Sequence, residues 1–477
     1  MPAELARVAG IVAASGLAVL FLAPARPWRL AGLACWAAGA AALLLYLEPV
    51  SRPELVAAAG VGLVGVGGAL AVLFVRWPWL VALCALALAP ARIPLDLGGE
   101  EAKLLVPLYV VIVGAAFAFA WRLWHEAARP RELGPLAWPA AALVAWFGLS
   151  LAWTDDLDGG AVALVAFYLP FGLLALVIAG LPWSRRWLVA LGVQLALMAV
   201  IFAGIGIFQW ATRDVFWNPK VIVGNAYAPF YRVNSVFWDP SIYGRFLVLA
   251  LLMLVVVVVY RQALLPVLAI VAVWTGLVFS FSQSSFGALI ASLLAAGAVV
   301  WGRRAVLALA LVSLVLVSVG FAAPSVRSEI RSDFDRVTSG RSGLVRNGAG
   351  LAADNPLLGV GLGNFEGAYA ARTGLEGDEP RRAASHTTPV TVAAETGFLG
   401  LALFAWLFAV PIAGGFRRAS ASFAGRASLI VALAVLAIGV HSLFYDAFFE
   451  DPMTWGALGL GALVSAWRGS ERKGTTS

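Results

Sequence analysis

Charge is scarce in this sequence. Of its 477 residues, 12% are Asp, Glu, Lys or Arg and 62% are hydrophobic, whereas a soluble domain is about a quarter charged. An ordinary soluble globular enzyme is thereby excluded. Histidine is rarer, at three residues, and cysteine rarest, at two. Cys35 and Cys84 both fall inside apolar runs, so they read as small packing residues rather than as a disulfide or a thiolate metal site. The net charge of +7 comes from arginines scattered over short loops without a polybasic block, which argues against a nucleic-acid partner. No repeat of fixed period is visible. What the chain has in quantity is apolar runs of roughly twenty residues, each long enough to cross a bilayer core.

These runs place spans at 5–23, 29–47, 55–75, 78–91, 103–124, 137–153, 160–181, 187–209, 241–260, 263–281, 285–301, 305–322, 389–415, 427–446 and 452–468. The fold class is therefore all-α, a polytopic transmembrane helical bundle of about 12–15 spans. The run at 5–23 lacks a basic leader and a small-residue cleavage site, and is expected to be a retained span. The run at 78–91 is short and proline-flanked, and is expected to be re-entrant or paired with a neighbour. Arginines fall in every second connection, among them Arg26, Arg29, Arg76, Arg122, Arg185, Arg186, Arg261, Arg303, Arg304, Arg417, Arg418 and Arg426. The intervening connections are neutral or acidic, as at Asp155, Asp156, Asp158, Glu450 and Asp451. The positive-inside rule assigns the basic set to the cytoplasm and the N-terminus to the outside.

Two connections are too long for simple turns, 210–240 and 323–388, and both fall on the external side. Long loops in compact proteins usually carry function. The second breaks the charge pattern with Arg327, Arg331, Arg336, Arg341, Arg346, Arg372, Arg381 and Arg382, balanced by acids such as Asp333, Asp335 and Glu366. A helix over 341–353 is expected, stopped by Asn355-Pro356 and a glycine-rich turn. The organisation that follows is an N-terminal helical scaffold (1–209), helices with an arginine-bearing outer loop (210–322), the large outer loop (323–388), C-terminal helices (389–468) and a tail (469–477).

The candidate residues gather around these loops. Arg341 and Arg346 stand five positions apart on the expected helix, roughly 140° around it, so both can flank one ligand without sharing one face. Guanidinium forks suit phosphate oxygens; ion pairing with the loop's own acids is the alternative use. Gly359, Gly361 and Gly363 read as a tight turn, and their amides as a possible anion cradle. The stretch 227–247 combines Arg232, Asp239 and Arg245 with aromatics that suit either an interfacial belt or sugar stacking. Arg245 lies about a turn inside a span, where a charge needs a partner or a polar cavity. His386 precedes a helix that Thr387 or Thr388 caps and Pro389 opens. Glu395 lies about six residues in, roughly 9 Å along the axis, and an intramembrane glutamate is either functional or a paired structural charge. His441 and Asp446 add polar groups at the outer end of the next span, while His125 falls in an inner connection.

Taken in order, these pieces resemble a known family. "SGRSGLVRNGAGLAADNPLLGVGLGNF" followed by "SHTTPVTVAAETGFLGLALF" is similar to the O-antigen ligase and polysaccharide polymerase superfamily. Its members show a Ser-Gly-Arg start, an Asn-Pro turn with alternating glycines, then His-Asn and Glu-x-Gly. "YRVNSVFWDPSIYGRFL" and "FSQSSFGALIASLLA" resemble its Arg-x-x-Gly-x-Phe-x-x-Pro-Asn and Ser-Arg segments. The likeness runs over about 232–455. Thr387 stands where asparagine is usual, Ser285 where arginine is frequent, and a tryptophan common on the loop helix is absent.

The resemblance implies a GT-C-type membrane glycosyltransferase of the bacterial inner membrane with its site on the periplasmic side. It moves a glycan from an undecaprenyl (polyprenyl) diphosphate donor to a hydroxyl of a glycan or glycolipid acceptor, lipid A core in ligases and another repeat in polymerases. No metal and no other cofactor is implied. Under that reading His386 is the general base, Arg341 and Glu395 complete the catalytic set, and Arg232, Arg245, Arg346, Asp239 and Asp446 bind diphosphate or glycan. Composition alone also admits a transporter or lipid-linked glycan flippase. The gathering of unusual polar residues at one side, rather than at the midplane of inverted repeats, argues against it.

Overall fold

A computed structural model describes the chain except for residues 48–52, 98–99, 126–131, 228–229, 303–340 (apart from four scattered positions), 375–386, 447 and 467–477. His386, most arginines of the 323–388 connection and the span expected at 305–322 thus lie outside the described residues.

Apolar runs become helices because a bilayer leaves no water for unpaired backbone groups. In chain order these are α1 Ala3–Leu22, α2 Arg26–Leu47, α3 Pro53–Arg76, α4 Leu80–Leu88, α5 Val106–His125, α6 Ala137–Ser150 and α7 Leu157–Ala179. Then follow α8 Arg185–Thr212, α9 Pro219–Tyr227, α10 Pro240–Arg261, α11 Leu264–Ser280 and α12 Gln283–Trp301. The C-terminal part holds α13 Arg341–Asp354, α14 Phe365–Thr373, α15 Thr388–Arg418, α16 Phe423–Ser442 and α17 Pro452–Ala466. Among the described residues, nine helices are long and apolar enough to cross a membrane, with shorter apolar ones at Gly60–Arg76, Gly134–Ser150 and Leu264–Ser280. Several starts are capped by short oxygen-bearing side chains: Asp156 accepts from the Gly159 amide at 2.8 Å, Asp239 from Ser241 at 2.6 Å and Ser422 from Gly425 at 3.0 Å. One antiparallel hairpin, β1 Ile93–Leu97 with β2 Glu100–Leu104, sits in the connection ahead of α5.

The helices alternate between two ends. At one, Arg7 at the start of α1 donates to the carbonyls of Leu151 and Thr154, and Arg92 donates to Glu450 O at 2.8 Å. At the other, Arg26 lies over Trp124 at 5.0 Å, Arg29 pairs with Glu132 at 2.8 Å, Trp79 stacks on Trp187 at 3.8 Å and Arg426 lies over Tyr260 at 5.7 Å. The arginine-rich connections of the sequence therefore converge on one end and the long loops on the opposite one. The short segment from Trp79 to Arg92 joins the two ends, although α4 itself has only nine residues. α7 and α10 run through the buried centre of the bundle. Within α7 a π-helical turn, Ala163–Tyr168, disturbs the regular ladder, and Tyr109 Oη donates to Ala166 O at 2.8 Å there.

Candidate active site

The site end is organised by a broken helix. α15 starts after Thr387 with Pro389 in its first turn, and Gly397 then adopts φ 70°, ψ −178°, which interrupts it. A break inside a membrane strands carbonyls and amides, each costly to leave unpaired. The glycine-rich turn supplies the missing partners. Val360 N donates to Ala394 O at 2.9 Å, Gly361 N to Glu395 O at 2.8 Å, and Phe398 N to Pro356 O at 2.8 Å. Trp146 Nε1 donates to Thr396 O at 2.9 Å, completing the repair.

The glycines are dictated by these approaches. Gly359, Gly361 and Gly363 all have positive φ, and a Cβ on them would lie 2.3 Å from Glu395 O, 2.4 Å from Thr154 Cα and 2.2 Å from Gly160 N. The turn is thus wedged between α15 and the α6–α7 connection, where Thr154 Oγ1 donates to Leu362 O at 2.9 Å and Trp153 Nε1 to Leu358 O at 3.2 Å. Of the two uses open to these glycines, the tight turn accounts for their conformation.

Glu395 is buried, 8% exposed. Its Oε1 accepts from the Phe365 amide at 3.3 Å, at the N-terminus of α14, where a carboxylate favours the helix dipole. The carboxylate thereby ties the glycine turn and α14 to α15. α13 and α14 pack on the same first turns through Leu351, Phe365, Tyr369 and Ala394. Arg341 opens α13 and Arg346 is exposed on it. The ion pairing weighed for the loop arginines occurs at Arg372, which pairs with Asp354.

A second cluster meets where α10 and α12 begin and α11 and α16 end. The Arg232 backbone exchanges two hydrogen bonds with the Asn225 side chain, at 2.8 and 2.9 Å, and its Nε donates to Ser280 O at 3.2 Å. Ser235, where the resembled motif has glycine, adopts φ 52°, and its amide donates to Gln209 Oε1 at 2.7 Å. Asp239 caps α10. Arg245 is 2% exposed and pairs with Asp451 at 2.6 Å. Asp451 also accepts from the Met453 amide at 2.9 Å, starting α17. The partner that a charge inside a span requires is therefore an acid from the connection between α16 and α17.

Beside this pair His441 is fully buried, with Nε2 3.0 Å from Ser284 Oγ and 3.2 Å from Ser241 O. Ser284 joins Ser282 at 3.1 Å, and Ser282 joins Ser285 at 2.8 Å. A Cβ on Gly244 would lie 2.6 Å from Ser285 Oγ, so the position where arginine is frequent is packed tightly around a small side chain here. Positive charge comes instead from Arg245 on the neighbouring helix.

The segment from Leu443 to Asp451 links the two clusters. Thr391 donates to the Asp446 carboxylate, Thr388 Oγ1 donates to Tyr445 O at 3.4 Å, and Asp451 holds Arg245. Burial raises the Tyr445 phenol well above its usual range, Asp239 acting in the same direction and Arg245 against it. The expected residues Glu395 and Asp446 thus meet at the start of α15. Asp239 and Arg245 face the linking segment, Arg232 is held by Asn225 and Ser280, and α13 carries Arg341 and Arg346. Sequence reasoning placed His441 at this end of its span and Ser284 in a resembled segment without pairing them, and it missed Asp451 as the partner of Arg245. The Asp-Pro pair at 451–452, matching that at 239–240, was the available signal for Asp451.

A family model described as O-Antigen ligase matches residues 268–405, from α11 through the break in α15. Arg341, Arg346, His386 and Glu395 fall inside the matched stretch; Arg232, Asp239, Arg245 and Asp446 fall outside it. No curated protein matches the chain. With that match seated on the broken helix and its glycine turn, the chain is a polytopic helical membrane protein that is similar to the O-antigen ligase family over this stretch.

Proposed function

We propose that this protein transfers a glycan from a polyprenyl diphosphate to an acceptor hydroxyl at the outer face of a bacterial inner membrane, as an O-antigen ligase-type glycosyltransferase. The observation that carries this reading is the Glu395–Phe365 bond together with the wedged glycine turn. Together they tie α13, which begins at Arg341, to the first turns of α15, which follow directly on His386.

In this reading the His386 imidazole takes the acceptor hydroxyl proton as the oxygen attacks the anomeric carbon. The bond from that carbon to the diphosphate oxygen breaks, and its electron pair leaves with the diphosphate. Arg341, Arg346 and Arg232 supply forked donors to the growing negative charge. A single displacement inverts the anomeric configuration. Glu395 acts as a positioning residue through α14. The Arg245–Asp451 pair and the Asp239 cap hold the outer ends of α10 and α17 around the donor, and Asp446 faces the acceptor side.

The test supplies purified protein with a polyprenyl-diphosphate glycan and either lipid A core or a second glycan repeat. Transfer to core supports a ligase and chain growth a polymerase. Arg341→Ala and His386→Ala are each expected to lower transfer by at least about a hundredfold with membrane insertion intact. Wild-type turnover in both variants removes them from the chemistry. Abolition of wild-type transfer by EDTA, reversed by added divalent metal, overturns the arginine mechanism.

A further inference from the structure

The connection between α8 and α10 holds a helix whose outward side is apolar. α9, Pro219–Tyr227, has no fully buried residue. Val221 and Asn225, about one turn apart, are half-buried and face the protein. Ile222, Val223, Ala226 and Tyr227 are exposed, Tyr227 by 87%. With Pro219 these four cover an arc of roughly 140° around the helix. Lys220 and Gly224 fall on a third, narrower side. No residue of the arc carries a charge, and the sequence of α9 holds no acid.

Hydrogen bonds fix how this helix lies. At its start Asn218 Nδ2 donates to Trp238 O at 2.6 Å, just ahead of α10, and Asn218 Oδ1 accepts from the Lys220 amide at 3.0 Å. Near its end Asn225 is bonded to the Arg232 backbone, and Arg232 Nε reaches the carbonyl of Ser280, the last residue of α11. Phe230 stacks on Phe281 at 4.7 Å, just past α11. α10 and α11 pack side by side. Nine helical residues span about 13 Å and packed helices sit about 8–10 Å apart, so α9 bridges the start of one and the end of its neighbour. It therefore runs across the bundle axis, at the level where α10 begins and α11 ends.

The surface beside it is an apolar wall of spanning helices. α8, which leads into α9, exposes Leu197, Ile201 and Phe208, and α11 exposes Leu268 and Val271. Phe216 and Trp217, both exposed, carry this wall from α8 to α9. We propose that α9 is an interfacial helix, seated in the bilayer leaflet at this end of the bundle. Ile222, Val223, Ala226 and Tyr227 enter the boundary of the acyl chains, about 5–10 Å deep, and Lys220 keeps its ammonium among the phosphates. Trp217 and Tyr227 are the residue types that belong at this level. Continuity with the wall of α8 and α11 selects the bilayer over a protein partner. Because Asn225 holds the Arg232 backbone, the helix fixes that arginine at the depth of lipid headgroups. The proposal is independent of the glycan-transfer reading.

The experiment places the full chain, with Cys35 and Cys84 replaced by alanine, in vesicles of phosphatidylcholine and phosphatidylglycerol. Single substitutions Ile222→Cys, Val223→Cys, Ala226→Cys, Lys220→Cys and Gly224→Cys each carry a nitroxide label. Electron paramagnetic resonance then compares collisions with oxygen, which partitions into lipid, and with a neutral nickel chelate, which stays in water. At 222, 223 and 226 oxygen collisions are expected to exceed nickel collisions by about threefold or more, as for a face buried at the acyl boundary. At 220 and 224 the order is expected to reverse. Nickel collisions dominating at all five positions would show the helix standing in water and overturn the proposal. Labels at 222, 223 and 226 shielded from both reagents would show the face covered by protein, and would overturn it equally.

Discussion

Glu395 serves two masters: its carbonyl accepts from Gly361 N and its carboxylate from Phe365 N. The side chains that replace it separate these uses. In Glu395→Gln the amide oxygen still accepts from Phe365, so the unfolding midpoint is expected to stay near wild type. Glu395→Ala leaves a buried amide without its acceptor, a loss of about 1–3 kcal/mol, and the midpoint falls. Transfer assays on both then report whether charge matters: if Glu395→Gln keeps turnover, the carboxylate positions α14 and does not polarise His386. Gly361 makes a sterner case. Gly361→Ala forces a side chain into the Thr154 backbone at a positive φ, and is expected to cost about 2–5 kcal/mol from backbone strain and overpacking together. An unchanged midpoint would show that the turn is not wedged as described.

At the scale of elements, the first turns of α10 and α17 are fastened by one buried ion pair, Arg245–Asp451. Removing one partner of a buried pair leaves an uncompensated charge and costs about 3–5 kcal/mol, whereas replacing both by apolar groups is often tolerated. Arg245→Met and Asp451→Leu are each expected to destabilise strongly, and the double variant less than either. Additive losses across the thermal unfolding cycle would show that the two side chains do not act as a pair. Within the described residues the spans were legible in the sequence, because run length and alternating arginines are local signals. The helix 341–353 was legible from its Asn355-Pro356 stop, also a local signal, and ends one residue later, at Asp354. The partners were not legible. Thr154 and Gly361 lie far apart in the chain, as do Arg245 and Asp451, and no spacing rule pairs them. The hairpin β1–β2 and the helix α9 inside the 210–240 loop were also unforeseen, being short and weakly periodic.

The whole molecule is polarised. The kinked helix, the glycine turn, the arginines at 232 and 245 and the linking segment share one end, and the arginine-rich turns share the other. The positive-inside rule leads us to expect the site end outside, and the proposed chemistry depends on it, since a donor already flipped to the outer leaflet reaches only an outward site. Leu357, 75% exposed on the glycine turn, and Ser420, exposed between α15 and α16, lie at opposite ends of α15. In a background with Cys35 and Cys84 replaced by alanine, Leu357→Cys is expected to react with a membrane-impermeant maleimide in intact spheroplasts. Ser420→Cys is expected to react only after permeabilisation. The reverse pattern would turn the site inward, toward nucleotide-activated sugars rather than a flipped lipid-linked glycan, and the proposed donor would fall with it.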